Sequence, residues 1–229
     1  MKEKLGFAVV MLSICVVAFF CMKTNPHTVT QTELAANTLL IDPGHGGEDG
    51  GTMAQDGTLE KNINLAIALE LRDMLQVCGV PVSMTRQADV SIHDPDCDTV
   101  RRKKVSDMYN RLALYEQAKT VIAIHQNHYG VAKYHGAQVF YSANRPEGQL
   151  LAESVQKSLV TRLQPDNSRE IKKATDGIFL LYHTKCPAIL VECGFLSNPT
   201  EREQLKTSAY RQQLAFAVMA GYFEYISNE

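Results

Sequence analysis

The sequence predicts a single α/β domain with a twisted, mainly parallel sheet flanked by helices. Short runs that are apolar at nearly every position alternate along the chain with longer segments whose apolar residues recur every three or four positions. Short apolar runs are typical of strands covered on both faces, and the longer periodic segments are typical of amphipathic helices. Their alternation indicates strands joined by helical crossovers. A length of 229 residues suits one such domain.

Five strands are predicted, because five short runs are apolar or β-branched. They cover residues 38–41, 80–84, 121–124, 137–141 and 188–191. A first helix is predicted over residues 60–78, where Ile63, Ile67 and Leu71 lie on one apolar stripe and Gly79 ends the pattern.

Three further helices are predicted between and after the later strands. Ser106 is a residue type that caps helices, so a helix is expected from there to about Ala118. Another is expected over residues 147–163. A C-terminal helix is indicated by apolar residues at helical spacing, namely Leu214, Val218, Tyr222 and Tyr225.

The N-terminus is predicted to be a membrane segment. Residues 5–22 carry no charge, follow Lys2 and Lys4, and form roughly 27 Å of helix, which is close to the thickness of a bilayer core. We therefore expect a signal-anchor over residues 1–22, a polar tether over residues 23–37 and the folded domain over residues 38–229. The domain is then exported and anchored to the outer face of the cytoplasmic membrane. A cleaved signal peptide, with secretion to the cell wall, is the alternative.

The charge balance argues against one class of partner. The formal net charge of −2 gives no basic footprint of the kind that nucleic-acid binding requires. We therefore expect no nucleic-acid partner.

Three polar residues follow three of the predicted strands. His45 lies in a glycine-rich loop after the first strand, and His125 and Glu192 directly follow residues 121–124 and 188–191. In open α/β sheets ligands bind at the carboxyl ends of the strands. The three side chains are therefore expected to share one site.

Glu60 is the fourth member of this predicted site. It lies on the apolar stripe at the start of its helix, where a buried charge needs a partner. A carboxylate favoured by the helix dipole is the simpler interpretation. Two histidines and one carboxylate are a ligand set of catalytic zinc, so we predict Zn²⁺ held by His45, Glu60 and His125. His128 is not counted, because an offset of three residues in an extended segment directs it to the other face.

Several stretches together resemble the zinc-dependent N-acetylmuramoyl-L-alanine amidases, a family of cell-wall hydrolases. They occur in the family's order and span about residues 38–226. The matching stretches are residues 41–47 (IDPGHGG), 59–62 (LEKN), 84–86 (MTR), 124–127 (IHQN) and 187–198 (PAILVECGFLSN). The short build with an apolar N-terminal segment is similar to the germination-specific branch of endospore formers.

The resemblance implies an activity and residue roles. Residues 38–229 would be a zinc amidase domain that hydrolyses the amide between N-acetylmuramic acid and L-alanine in peptidoglycan. His45, Glu60 and His125 match the family's zinc ligands, and Glu192 matches its catalytic glutamate. Asn127 and Arg111 match recurrent positions near the site and are candidate substrate contacts. The germination-specific branch implies cleavage that prepares muramic-δ-lactam in spore cortex.

Alternatives remain for individual residues and for the function. Glu192 is either the base or a carboxylate paired with Lys185 or Arg202. The basic run at residues 101–104 is either a solvated face or a contact to stem-peptide carboxylates. Rival functions are a zinc peptidase that cuts another cell-wall amide and a peptidoglycan-binding scaffold. A lone domain without a wall-binding module also leaves room for an activating or targeting protein partner.

Overall fold

A computed structural model describes residues 38–228. The predicted membrane segment and tether, residues 1–37, lie outside the described residues. Within residues 38–228, none of the helices combines the length and the apolar character that crossing a bilayer demands.

The core of the domain is a six-stranded sheet with the order β2-β1-β3-β6-β4-β5. Its strands are β1 (Leu39–Pro43), β2 (Val82–Met84), β3 (Thr120–Asn127), β4 (Gln138–Tyr141), β5 (Lys172–Lys173) and β6 (Ala188–Phe195). All neighbouring pairs are parallel except β4 and β6, which are antiparallel. The prediction of a mainly parallel α/β sheet is therefore confirmed, with one reversed pair that makes the sheet mixed.

Helices cover both faces of the sheet. They are α1 (Glu60–Val77), α2 (Val100–Tyr115), α3 (Pro146–Arg162), α4 (Phe179–His183), α5 (Pro199–Lys206) and α6 (Ser208–Ile226). Helices α1, α3 and α6 pack over the larger core, which includes Ile122, Ile124 and Val191, each fully buried. Burying each such side chain contributes about 1.5–3 kcal/mol. Helices α2 and α4 cover a second cluster around Val121 and Ala123 on the other face.

The predicted boundaries of three elements, α2, β3 and β6, were wrong. Helix α2 begins at Val100, not at Ser106, because the Thr99 hydroxyl caps it and accepts a hydrogen bond from the Arg102 N–H at 3.3 Å. The Ser106 hydroxyl instead donates to Asp94 at 2.7 Å. Strands β3 and β6 run further than predicted, so His125 and Glu192 lie within the C-terminal parts of their strands and not after them.

Candidate active site

The loop after β1 holds His45 in an unusual backbone conformation. His45 has φ of 62°, in the left-handed region that residues other than glycine rarely adopt. Its carbonyl oxygen accepts a hydrogen bond from Arg111 Nη2 at 2.8 Å. Left-handed conformations of this kind cluster at functional sites, where surrounding contacts hold them in place.

Arg86, which follows β2, is the second residue that holds this loop. Its guanidinium is buried and donates to the carbonyl oxygens of Pro43 at 2.9 Å and Gly44 at 3.0 Å. The same group donates to the Lys61 carbonyl at 2.9 Å, in the first turn of α1. Arg86 therefore ties the His45 loop to the helix that carries Glu60.

Glu60 lies in the first turn of α1 and is 3% exposed. Its Oε1 accepts hydrogen bonds from Asn64 Nδ2 at 3.2 Å and from the Gln126 N–H at 3.2 Å. Its Oε2 accepts from the Thr52 N–H at 2.9 Å. Although burial opposes ionisation, the contacts with His125 and His45 hold the pKa of Glu60 well below its usual range.

The three predicted metal ligands come together in the structure. His125 Nδ1 lies 2.9 Å from Glu60 Oε1, and His45 Nε2 lies 3.3 Å from Glu60 Oε2. One candidate ligand atom from each residue falls within 4.8 Å of the others. Among residues 38–228, these three side chains form the one cluster of histidine, cysteine or acidic residues that could hold a metal ion. His128 does not belong to this cluster. His128 is exposed beyond the end of β3.

Asp49 sets the orientation of His45. Its Oδ2 lies 2.9 Å from His45 Nδ1, which leaves Nε2 of the same ring facing Glu60. Burial disfavours a charged imidazole, but hydrogen bonds to Asp49 and Glu60 raise the pKa of His45 to about 9. The site therefore strongly favours positive charge, which is the electrostatic property that a site for a divalent cation requires.

Two glycines leave the space around these side chains. A Cβ on Gly51 would lie 2.6 Å from Glu60 Oε2 and 2.6 Å from His45 Cδ2, and Gly51 also has φ of +66°. A Cβ on Gly44 would overlap the His125 ring. Only glycine permits this close approach of the backbone to the ligand set. Donor type, spacing and surrounding space together fit a zinc ion.

Glu192 lies beside the ligand set on β6 and pairs in register with His125 on β3. Its Oε2 is buried and has no hydrogen-bond partner among residues 38–228. Neither Lys185 nor Arg202 forms an ion pair with Glu192. Arg202 contacts Asp56 instead, at 3.2 Å. Burial raises the pKa of Glu192 to about 7. A carboxylate that is partly protonated near neutral pH is suited to exchange protons.

The two candidate substrate residues occupy different positions. Arg111 is 3% exposed and forms ion pairs with Asp42 and with Asp107 Oδ2, the latter at 2.7 Å. These contacts place it under the His45 loop as a positioning residue. Asn127 ends β3, and its backbone oxygen accepts from the Leu196 N–H at 2.9 Å. A contact of either residue with substrate stays a prediction.

The basic run lies in α2 and reaches the other side of the site. Lys103 Nζ lies 2.5 Å from Glu48 Oε1, and Lys104 Nζ lies 3.3 Å from Asp49 Oδ2. These lysines are thus already paired with carboxylates of the His45 loop. Lys104 also borders a cavity of about 260 Å³ that reaches His45 and His125 and has apolar walls from Met108, Phe179 and Leu190.

Two supporting residues escaped the sequence reasoning. Asn64 is fully buried, donates to Gly44 O at 3.2 Å and accepts from Gln126 Nε2 at 3.2 Å. Asn64 lies one turn after Glu60 on the apolar stripe, and a polar residue at such a position indicates a buried hydrogen-bonding role. Asp49 carried a weaker signal, since aspartate is common in glycine-rich loops whether or not a histidine lies four residues before it.

Comparisons with known proteins identify the family of this chain. A family model described as N-acetylmuramoyl-L-alanine amidase matches residues 39–223. The chain is 33% identical over 198 residues to the germination-specific N-acetylmuramoyl-L-alanine amidase of Bacillus subtilis, covering 86% of this chain and 82% of the relative.

Solved structures give the same result. The CwlD amidase of Clostridioides difficile, solved in complex with the GerS lipoprotein, matches with a TM-score of 0.81 and 36% identity, over 84% of this chain and 100% of that one. An N-acetylmuramoyl-L-alanine amidase of Clostridium difficile 630 matches with a TM-score of 0.73 and 28% identity, over 85% of this chain and 98% of that one. The chain therefore belongs to the N-acetylmuramoyl-L-alanine amidase family and is an enzyme of that class.

Proposed function

We propose that this chain is a zinc-dependent amidase that releases stem peptides from peptidoglycan by hydrolysing the amide between N-acetylmuramic acid and L-alanine. The observation that carries the proposal is the group of His45, Glu60 and His125 beside Glu192, whose Oε2 accepts no hydrogen bond from residues 38–228. Zinc held by the first three residues would supply a Lewis acid that polarises the amide carbonyl and lowers the pKa of water.

The chain's own residues perform the proton transfers. In the described part of the chain no donor competes for Glu192 Oε2, so it is free to accept a proton from the attacking water. Because burial raises the pKa of Glu192 to about 7, the same carboxyl group can then give that proton to the departing L-alanine amine. Asp49 fixes the His45 ring, and Arg111 and Arg86 fix the backbone that carries it.

Location and biological role are part of the proposal. The apolar residues 5–22 after Lys2 and Lys4 support export and a place at the outer face of the cytoplasmic membrane. Similarity to the germination-specific relative supports a role in spore cortex, with cleavage that prepares muramic-δ-lactam. Because the CwlD structure contains a lipoprotein partner, an accessory protein for this chain is also proposed.

The test is product analysis with purified peptidoglycan. The full chain in detergent, supplied with zinc, is incubated with peptidoglycan, and the soluble products are identified by mass spectrometry beside the Glu192→Gln variant. We expect free peptides that begin with L-alanine, and we expect the variant to release none. Release of D-alanine alone would show a carboxypeptidase, and a zinc-loaded chain that binds peptidoglycan without any product would show a binding protein.

A further inference from the structure

A second groove includes Gln138, the residue of β4 that pairs in register with Glu192. It has a volume of about 320 Å³, and its lining includes Asn127, Gln138, Phe140, Arg169, Lys172 and Phe195. Gln138 pairs in register with Glu192, and Phe140 pairs with Lys172. Side chains in register on neighbouring strands share one face of the sheet. The groove therefore crosses from β4 to β5 on the sheet face that also carries Glu192.

The groove contains two cations, Arg169 and Lys172, that lack an ion-pair partner among the described residues. Neither Arg169 nor Lys172 forms an ion pair with another residue of the described part of the chain. Arg169 donates instead to His135 O at 2.8 Å and to Gln138 Oε1 at 3.0 Å. The buried Glu201 feels the charge of Arg169, but its oxygens accept from the N–H groups of Gly136 and Phe195. Within residues 38–228 the groove thus presents two cations that no carboxylate contacts directly.

The cavity on the opposite side of the site differs in this respect. Its cations are paired with carboxylates, Lys104 with Asp49 at 3.3 Å and Arg111 with Asp42 and Asp107, and the rest of its wall is mostly apolar. In a peptidoglycan substrate the charge also differs between the two sides of the scissile amide. The stem peptide carries free carboxyl groups, whereas the N-acetylated sugars carry no charge. Charge complementarity therefore gives the substrate one orientation.

We propose that the groove beside Glu192 binds the acidic stem peptide, with Lys172 and Arg169 contacting its carboxylates. This inference rests on the proposed function, because it takes peptidoglycan as the substrate. It moves the expected carboxylate contact from residues 101–104, where Lys103 and Lys104 are already paired, to the other side of the site.

The spacing suits a peptide of a few residues. Lys172 lies two strands across from Glu192 and two residues along, which corresponds to about 12 Å between their Cα atoms at ordinary strand spacings. An extended peptide covers that distance in about three to four residues. A lysine side chain then reaches the carboxylates that follow L-alanine.

An aromatic wall completes the groove. Tyr129 and Tyr134 line it, with their rings in edge-to-face contact at 4.9 Å, and they are 55% and 38% exposed. Exposed aromatic side chains of this kind supply contact area for a ligand at little cost in conformational entropy. They would bury the aliphatic parts of the peptide while the cations hold its carboxylates.

The test measures peptide binding without turnover. The full chain in detergent, loaded with zinc, is titrated calorimetrically with the tripeptide L-alanyl-γ-D-glutamyl-diaminopimelate, once with free carboxylates and once with all carboxyl groups amidated. We expect the free acid to bind about tenfold more tightly, as one charge-assisted hydrogen bond provides. The variants Lys172→Glu and Lys172→Gln should lose that preference.

Lys173→Glu is the matched control. Lys173 is exposed, has the same charge and neighbours Lys172 on β5, but it does not line the groove. It should keep the preference for the free acid. Equal affinity of the wild type for both peptides, or an equal loss in both charge reversals, would overturn the proposal. If the chain hydrolyses peptidoglycan but the Lys172 variants bind the peptide like the wild type, the groove proposal is wrong and the proposed function stands. If peptide binding depends on Lys172 but no peptidoglycan is hydrolysed, the proposed function is wrong and the groove proposal stands.

Discussion

His125 and Glu192 occupy paired positions on the adjacent parallel strands β3 and β6. This register places a predicted metal ligand and the proposed base side by side on one face of the sheet. His125 also lies 2.9 Å from Glu60, whereas Glu192 Oε2 has no hydrogen-bond partner within the described range 38–228. The two neighbouring strands thus provide His125, which belongs to the predicted ligand set, and Glu192, which is free to exchange protons.

The first prediction concerns Glu192→Gln. Because the side chain keeps its shape and lies outside the ligand set, the variant should bind zinc like the wild type. Loss of the proton acceptor should lower kcat by about 10²–10⁴-fold. Rates are measured on soluble muramyl peptides and zinc by atomic absorption. A variant that retains near-normal turnover would contradict the assignment, and one that loses zinc would show a role in holding the metal.

The pH dependence of kcat/KM should report the same group. Burial raises the pKa of Glu192 to about 7, and the proposed base acts only when it is ionised. Activity should therefore rise with pH and level off once Glu192 is ionised. A zinc ion nearby favours the carboxylate, so the zinc-loaded enzyme should show this limb below 7. A rate that stays constant from pH 5 to pH 8 would argue against Glu192 as the base.

The site was predictable because each of its members stood out from its surroundings. His45 interrupts a glycine-rich loop, His125 and Glu192 end apolar runs, and Glu60 places a charge on an apolar stripe. Asn64 and Asp49 were missed, because an amide on a helix and an acid in a loop have many ordinary roles. Their contributions depend on distances that only the folded chain provides.

The direction and the ends of elements were less predictable. The apolar character of β4 indicates that it is buried, but it does not encode whether it runs parallel or antiparallel to β6. The start of α2 was misplaced, since Thr99 and Ser106 are both suitable caps and the charged residues between them conceal the apolar stripe. The cations of the groove lie on or just before β5, which has only two residues and gives no periodic signal.

Asp49→Asn should weaken the metal site without disrupting the fold. Asp49 lies 2.9 Å from His45 Nδ1 and orients the ring, and loss of such a contact typically costs about 10–100-fold in metal affinity. Affinity is measured by competition with a fluorescent chelator. Glu48→Gln is the control, because Glu48 neighbours Asp49 but pairs with Lys103 and not with His45. Equal zinc affinity in the two variants would refute the orienting role.

Arg111→Met should destabilise the domain by about 3–5 kcal/mol, because it leaves the buried carboxylate of Asp42 without its charge partner. Urea unfolding at pH 7 measures the loss. Adding Asp42→Asn to Arg111→Met should recover part of the stability, since the unpaired charge is then removed. No recovery in the double variant would show that packing, and not the ion pair, determines the cost.

The same pair predicts how stability depends on pH. Burial opposes ionisation of Asp42, but Arg111, Thr85 and Tyr115 together hold its pKa below the ordinary value of 3.8. A depressed pKa contributes stability that is fully present above 3.8 and is lost as pH falls through the folded-state value. The wild type should therefore lose stability below about pH 4 more steeply than the double variant. Parallel curves for the two proteins would contradict this account.

Gly51→Ala should weaken zinc binding, and Gly57→Ala separates that effect from backbone strain. Both glycines are left-handed, with φ of +66° and +83°, so alanine is strained at either position. A Cβ on Gly51 would press on Glu60 and His45, whereas a Cβ on Gly57 would meet no atom of the described residues within 4 Å. Each variant should lose about 1–2 kcal/mol of stability from the backbone. Only Gly51→Ala should also lose zinc affinity and amidase activity, because it alone displaces two predicted ligands. If chelator competition shows the same zinc affinity for both variants, the close approach of Gly51 to the ligand set has no part in metal binding.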